Sequence, residues 1–384
     1  MEYLFWLFLA IIFYAFVGYG ILVYIILKIK KPKPNTFNSN YTPEVTLLIA
    51  AYNEEDFISE KLKNCDQLDY PEGKLKIIFV TDGSSDQTNE IIKQHGKYQL
   101  EYSPERRGKI AAVNRVMPLV QTDFTIFCDA NTYLNIESIR NIIRHFEDPK
   151  VGCVAGEKRI FQNNTDNASG AGEGFYWKYE SFLKKLDSDL YTVVGAAGEL
   201  FAVRNNLWDE VPKDIIIEDF VVSLKIAQKG YVVKYEPDAY AQETASANVK
   251  EELKRKIRIC AGGIQAILLL KPLLNPFKYG TLSFQYISHR VLRWTIIPFL
   301  LILLIPINYM LHSKLGHIYT WFLYGQVLFY TTALIGWILK NLKIEFKLIF
   351  IPYYFFIMNY SVIMGMIRFF KGNQSAIWEK AKRA

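Results

Sequence analysis

Three short clusters of oxygen-bearing side chains could do chemistry: Asp82-Gly83-Ser84-Ser85-Asp86, Asp129-Ala130-Asn131 and Glu218-Asp219. In the second, a carboxylate and a carboxamide stand two residues apart. Hard divalent cations such as Mg2+ take oxygen ligands and accept phosphate oxygens as the others. The pair suits such a cation; it also suits a turn and a helix cap, where Asp and Asn are favoured. In the third cluster two acids close the run DIIIED at 214–219. Like charge and burial there would raise the pKa of Asp219, as a base for an acceptor hydroxyl requires. Its other reading is the cap of a helix over residues 221–229. Lys109 and Arg258 are cations able to offset charge on a departing phosphate; Arg255 and Arg258 would serve lipid headgroups equally well.

These groups need elements to hold them. Residues 124–128 (FTIFC) are a short apolar, aromatic and β-branched run, the pattern of a strand buried on both faces. Residues 44–51 (EVTLLIAA) read as a first strand, ending at Tyr52-Asn53-Glu54-Glu55. Residues 76–80 (KIIFV) form a second, ending at Thr81-Asp82, and 100–103 a third. Helices are predicted over 58–67, 88–95 and from Lys109 to about Val120. Strand–helix alternation at this spacing means a mostly parallel, Rossmann-like α/β sheet. Ligands bind at the carboxyl ends of such strands, where the first two clusters fall. The second half is less regular. Strands are expected at 151–156, 193–203 and 231–236, and helices at 175–186 and up to Lys229. Residues 163–174 (NNTDNASGAGEG) read as a loop by composition, and no strand precedes their glycines as a dinucleotide fingerprint requires.

The chain has 384 residues, a net charge of +7 and 51% hydrophobic residues, too many for one ordinary domain. The positive balance suits phosphate or membrane headgroups, and no nucleic-acid partner is expected. Cys65, Cys128, Cys153 and Cys260 lack metal-like spacing and read as reduced, buried thiols in the cytosol. Residues 3–27 carry no charge and are long enough to cross a bilayer. Lys28, Lys30, Lys31 and Lys33 follow, which the positive-inside rule places in the cytosol. Further apolar stretches cover 292–311, 318–339 and 348–367. The expected division is a membrane helix at 1–27, a basic linker at 28–42, a cytosolic domain at 43–248, interfacial helices at 249–290, membrane helices at 291–370 and a basic tail at 371–384. One crossing before the domain and three after it would put that basic tail outside, against the charge rule. In 250–270, Leu253, Ile257, Ala261, Ile264 and Leu268 fall near one face, with Lys254, Arg255, Lys256 and Arg258 crowding the start. That pattern reads as a helix lying on the cytosolic leaflet, or as an ordinary surface helix.

Asp82-Gly83-Ser84-Ser85-Asp86, Arg107-Gly108-Lys109 with Asn114, Asp129-Ala130-Asn131 and Glu218-Asp219 together resemble family-2 inverting glycosyltransferases. These fold-A (GT-A) enzymes include cellulose, chitin, hyaluronan and poly-N-acetylglucosamine synthases. The resemblance covers roughly residues 43–263 and the flanking membrane helices. It implies a plasma-membrane, multi-pass enzyme that moves a sugar from a UDP-sugar to a polysaccharide or lipid-linked glycan, with a possible partner subunit. It implies that Asp82 meets the nucleotide base, Ala51 and Glu54 sit beside the nucleotide, and Lys109 approaches the diphosphate. Asp129 and Asn131 match the pair that holds Mg2+ or Mn2+, and Asp219, beside Glu218, matches the catalytic base. Arg255 and Arg258 fall at the Q-x-x-R-W position. Four residues depart from the family pattern: Thr81 and Asn131 stand where Asp is usual, and Arg255 and Ile259 replace Gln and Trp. Loss of that Trp, which packs on the acceptor sugar in processive synthases, leaves long-chain processivity unsupported. The rival readings are a polyprenyl-phosphate glycosyltransferase and a non-catalytic membrane scaffold or export partner that retains the fold.

Overall fold

The computed structural model describes residues 1–31, 37–38, 40–161, 169–244, 249–342 and 347–372. Two helices, α1 (Glu2–Phe13) and α2 (Tyr19–Lys30), run on through one π-helical turn at Tyr14–Gly18. Then β1 (Val45–Ala51), α3 (Glu55–Asp66), β2 (Leu75–Asp82), α4 (Thr88–His95), β3 (Gln99–Ser103), α5 (Lys109–Val116) and β4 (Phe124–Asp129) alternate as the sequence predicts. There follow β5 (Tyr133–Leu134), α6 (Ser138–Ile143), β6 (Val151–Phe161), α7 (Ser169–Leu190), β7 (Leu200–Arg204), α8 (Glu218–Gln228) and β8 (Val232–Thr244). The chain ends in α9 (Val249–Leu269), α10 (Pro276–Tyr286), α11 (Leu292–Trp294), α12 (Ile297–Leu315), α13 (Ile318–Asn341) and α14 (Lys347–Phe370).

The sheet order is β3-β2-β1-β4-β7-β6-β8-β5. β3, β2, β1 and β4 are mutually parallel, while β7 runs antiparallel to both β4 and β6. The chain steps outward from β1 to β2 and β3, then returns to β4 on the other side of β1. The carboxyl ends of β1 and β4 therefore flank a topological switch point, where open sheets hold ligands. Every residue of β1 is buried. Leu48 and Ala50 pack into the core on one face and Leu47, Ile49 and Ala51 into the core on the other, the period of two that a strand imposes. The first of these cores continues into the membrane-side helices through Ile267, Leu282 and Tyr286, with Trp294 packed against it. All four cysteines are buried and free.

Several expectations need correction. The segment expected as a loop is helical from Ser169 onward, so α7 begins six residues earlier than periodicity suggested; residues 163–168 lie outside the described residues. The strand expected over 193–203 starts only at Leu200. Before it the backbone turns at Gly195, whose φ is +90° and where a Cβ would stand 2.1 Å from Cδ2 of Phe220. Glycine alone tolerates that position. Of the residues expected on one face of α9, Ala261 and Ile264 are buried and Leu268 is exposed, and the charged Glu252 and Lys256 are buried as well. Both are paired, Glu252 with Lys340 at 3.1 Å and with Lys256 at 3.3 Å. That pairing permits the burial of charge against α14. On the opposite flank Gly262 lies against Ile216, so α9 joins α14 to the segment leading into Glu218-Asp219.

Among the described residues, four helical spans, Glu2–Lys30, Ile297–Leu315, Ile318–Lys340 and Leu348–Phe370, are long and apolar enough to cross a membrane. The basic tail beyond Gly372 lies outside the described residues.

Candidate active site

The site grows from strand ends. Ala50 of β1 is in register with Asp129 of β4, so the two chain ends leave the sheet side by side. Behind the Asp129–Asn131 turn, the buried Lys61 of α3 donates to the Thr132 carbonyl at 2.7 Å and lies 3.0 Å from the Cys128 thiol. Thr132 Oγ1 donates to the Asp129 carbonyl at 2.9 Å. The turn is thus pinned from the core side, and its side chains face the cleft.

Lys109, the first residue of α5, reaches across to this turn. Its ammonium stands 2.7 Å from Asp129 Oδ1 and 2.9 Å from Glu218 Oε1. Asp219 is adjacent: a Cβ placed on Gly198 would lie 3.4 Å from Asp219 Oδ2 and 3.6 Å from Lys109 Nζ. Burial, with Glu218 beside it, pushes the Asp219 carboxyl up to about 7, and Lys109 opposes that shift only in part. Burial also raises Asp129, against the pull of Lys109. Burial alone would lower Lys109, but the carboxylates of Asp129 and Glu218 outweigh it and hold the amine well above its ordinary value. Asp219 is therefore poised near neutrality, as a general base must be. Glu218 and Asp219 also lie in the first turn of α8, so the capping reading and the site reading describe one place.

A second group lies at the end of β2. Asp82 Oδ2 accepts from the backbone N–H groups of Arg107 at 2.8 Å and Gly108 at 2.5 Å. Its other oxygen is buried and has no hydrogen-bond partner among the described residues. Asp82 lines a small pocket with Ala51, Tyr52, Arg106 and Lys109. The Arg106 guanidinium sits 3.9 Å above the Tyr52 ring, at that pocket. Gly83 makes the approach possible: at φ +68° it turns the chain where a Cβ would stand 2.7 Å from Cβ of Arg106. Thr81, at the position where the family carries an acid, donates to Asn89 Oδ1 at 2.7 Å. Glu54 is buried at the start of α3, its backbone N–H donating to Thr88 Oγ1 at 2.8 Å.

The residues fit a divalent cation in one respect that the structure itself shows. Among the described residues, Asn131 Oδ1 is buried with no hydrogen-bond partner, two positions along the chain from Asp129. Two hard oxygens then leave the remaining positions for phosphate and water. Among the described residues, no three acids, histidines or cysteines form a complete metal cage.

Sequence reasoning missed a third group. Glu199, following the Gly195–Gly198 turn, pairs with the buried Lys158 of β6, which also pairs with Glu243 of β8. Arg255 of α9 closes this chain on Glu243 at 3.4 Å. Arg255 thus meets a carboxylate, while Arg258 is half-buried one turn further along α9. Burial would raise Glu199, yet Lys158 holds it low, and its charge acts on both Asp129 and Asp219. The only signal in the sequence was the glycine-rich turn itself. Ile259 is 40% exposed, so no aromatic ring stands at the position the family gives to tryptophan.

Residues 46–211 match the family model "Glycosyl transferase family 2". The chain is 30% identical over 253 residues to the poly-beta-1,6-N-acetyl-D-glucosamine synthase of Staphylococcus aureus (strain MSSA476), a match that covers 62% of this chain and 58% of that relative's length. It is 26% identical over 300 residues to the same-named protein of Staphylococcus epidermidis, covering 73% and 70%. Among solved structures, the mannosyltransferase PcManGT from Pyrobaculum calidifontis, in complex with GDP-Man and Mn2+, superposes with a TM-score of 0.72 over 97% of this chain and 100% of its own, at 22% identity. That likeness establishes the GT-A fold. Over residues 46–211 the chain is similar to glycosyltransferase family 2.

Proposed function

We propose that the protein is a membrane-embedded inverting glycosyltransferase that moves a sugar from a UDP-sugar to a hydroxyl of a polysaccharide or lipid-linked glycan. The observation that carries this reading is the convergence of Asp129, Lys109, Glu218 and Asp219 at the switch point, beside the pocket that Asp82 lines. The uncommitted oxygen of Asp82 accepts from the nucleotide base, and Ala51 and Tyr52 form the wall beside it. Glu54 shapes the start of α3 next to that wall. Asp129 and Asn131 hold Mg2+ or Mn2+, which supplies positive charge at the leaving diphosphate. Lys109 adds a second cation there. Asp219 takes the proton of the acceptor hydroxyl as its oxygen attacks the anomeric carbon. The bond from that carbon to the diphosphate breaks on the opposite face, and the nucleoside diphosphate departs with the electron pair. A single displacement of this kind inverts the anomeric configuration. Glu218 keeps Asp219 basic through like charge and seats Lys109. Arg255 and Arg258 act from α9, Arg255 through Glu243.

The N-terminal and C-terminal apolar helices hold this domain at the bilayer, and the division into segments at 27, 42, 248, 290 and 370 belongs to the same proposal. Lys28, Lys30 and Lys31, at the end of the first span, favour a cytosolic site by the positive-inside rule. The relatives named as poly-beta-1,6-N-acetyl-D-glucosamine synthases support a glycan acceptor. The test is nucleotide release by the purified full-length protein over a panel of UDP-sugars and GDP-mannose, with and without Mn2+. Metal-dependent release of UDP from one UDP-sugar is the expected result. Release of no nucleotide from any donor would favour the scaffold reading, and full activity of Asp219→Asn would favour a phosphate acceptor that needs no base.

A further inference from the structure

We infer that Lys109 is an internal cation occupying the seat a divalent metal must take on Asp129, and that its transfer to the donor diphosphate links metal binding to nucleotide binding. The inference rests on the reading of Asp129 and Asn131 as the metal pair, and adds a switching group to it.

The geometry points to one seat for two cations. Lys109 Nζ is 2.7 Å from Asp129 Oδ1 and 2.9 Å from Glu218 Oε1, and all three side chains are at most 17% exposed. A metal coordinated by the same Oδ1 would stand within a few ångströms of the ammonium, where like charges in a poorly hydrated cleft repel strongly. The root of Lys109 is fixed. Gly108 before it has a φ of +97° and donates its N–H to Asp82 Oδ2 at 2.5 Å. The four-carbon stem is what can pivot, and Lys109 also lines the pocket that Asp82 lines. The amine can therefore turn from the carboxylates toward a diphosphate in that pocket without any backbone movement. Each ligand then removes a cost for the other: nucleotide draws Lys109 off Asp129, and metal on Asp129 releases Lys109 to the nucleotide. Such coupling is reciprocal.

The test is Mn2+ binding to the full-length protein in detergent, read by electron paramagnetic resonance, together with UDP binding read by calorimetry without metal. Lys109→Gln is expected to bind Mn2+ in the absence of nucleotide about tenfold more tightly than wild type, the size of effect one adjacent opposing charge exerts. The same variant is expected to bind metal-free UDP more weakly than wild type. Lys109→Met should repeat the pattern, and Asp129→Asn should abolish the gain. In the wild-type protein, saturating Mn2+ should raise the rate at which an amine-selective reagent labels Lys109, read by mass spectrometry. Nucleotide-free Mn2+ binding no tighter in Lys109→Gln than in wild type would overturn the inference, as would unchanged labelling of Lys109. A wild-type protein that binds neither Mn2+ nor UDP would instead bring down the proposed function itself.

Discussion

Single residues set the chemistry. Asp219 lies at about 7 because burial and Glu218 disfavour its charge. A base must be ionised to accept a proton, so turnover should rise with pH through about 7 and level off above it, which a pH–rate profile measures. The same shift acts on stability with opposite sign. A carboxyl whose folded pKa lies above its unfolded value contributes stability that is fully present below about pH 4 and is lost as pH rises through about 7. Asp219→Asn removes a charge the fold disfavours, so at pH 8 it should abolish turnover yet raise Tm by about 2–4 °C. A fall in Tm at pH 8 would contradict this account of the carboxyl. In the proposed site the neutral carboxamide of Asn131 would give a metal a dipole instead of a charge. Asn131→Asp should tighten Mn2+ binding about tenfold in the presence of UDP, measured by metal titration.

Elements decide where these residues meet. Gly195 holds the turn before β7 against Phe220, the residue after Asp219. Gly195→Ala places a Cβ inside that ring, at a positive φ, and should cost about 2–4 kcal/mol in denaturant melts. It should also lower kcat, since α8 carries Glu218 and Asp219 at its first turn. The left half of the sheet was legible because its strands are short runs that end in polar turns, and two of those ends, at Asp82 and Asp129, are motifs themselves. Asp82 and Asp129 could be placed at one edge of the sheet for that reason, whereas Lys109, Glu218 and Asp219 stand at the starts of α5 and α8 and were singled out by their charge and motif spacing. The antiparallel entry of β7 between β4 and β6 was not legible, because strand pairing across 75 residues leaves no local mark. Glu199, Lys158 and Glu243 were missed with it, since they come from three strands that only this pairing brings together. Helix α7 was truncated in the reading because glycine and alanine near its start resemble a loop by composition.

At the scale of the whole molecule, the site is tied to the membrane-side helices through buried charge. Glu180 of α7 accepts from Arg290 at 2.8 Å and from Arg293 at 2.7 Å, while Arg293 also donates to the Ala15 carbonyl at the π-helical turn between α1 and α2. His289 lies 2.5 Å from Asp187, next to Tyr19 of α2. Burial would raise Glu180, yet Arg290 and its neighbours hold it well below the usual carboxylate range. Glu180→Ala leaves two buried guanidinium groups without their carboxylate and should destabilise the protein by about 3–5 kcal/mol, seen as a large drop in Tm in detergent. The catalytic sheet, α7 and the first apolar span should loosen together in that variant. The proposed function turns on one metal-bound sugar nucleotide held where β1 and β4 part. The most direct measurement compares Asp129→Ala with Asp219→Asn in two assays, Mn2+-dependent UDP binding and UDP release from the preferred UDP-sugar. The account predicts that Asp129→Ala loses both, whereas Asp219→Asn binds UDP with Mn2+ as wild type does and releases UDP at least about a thousandfold more slowly. Wild-type release rates in both variants would contradict it.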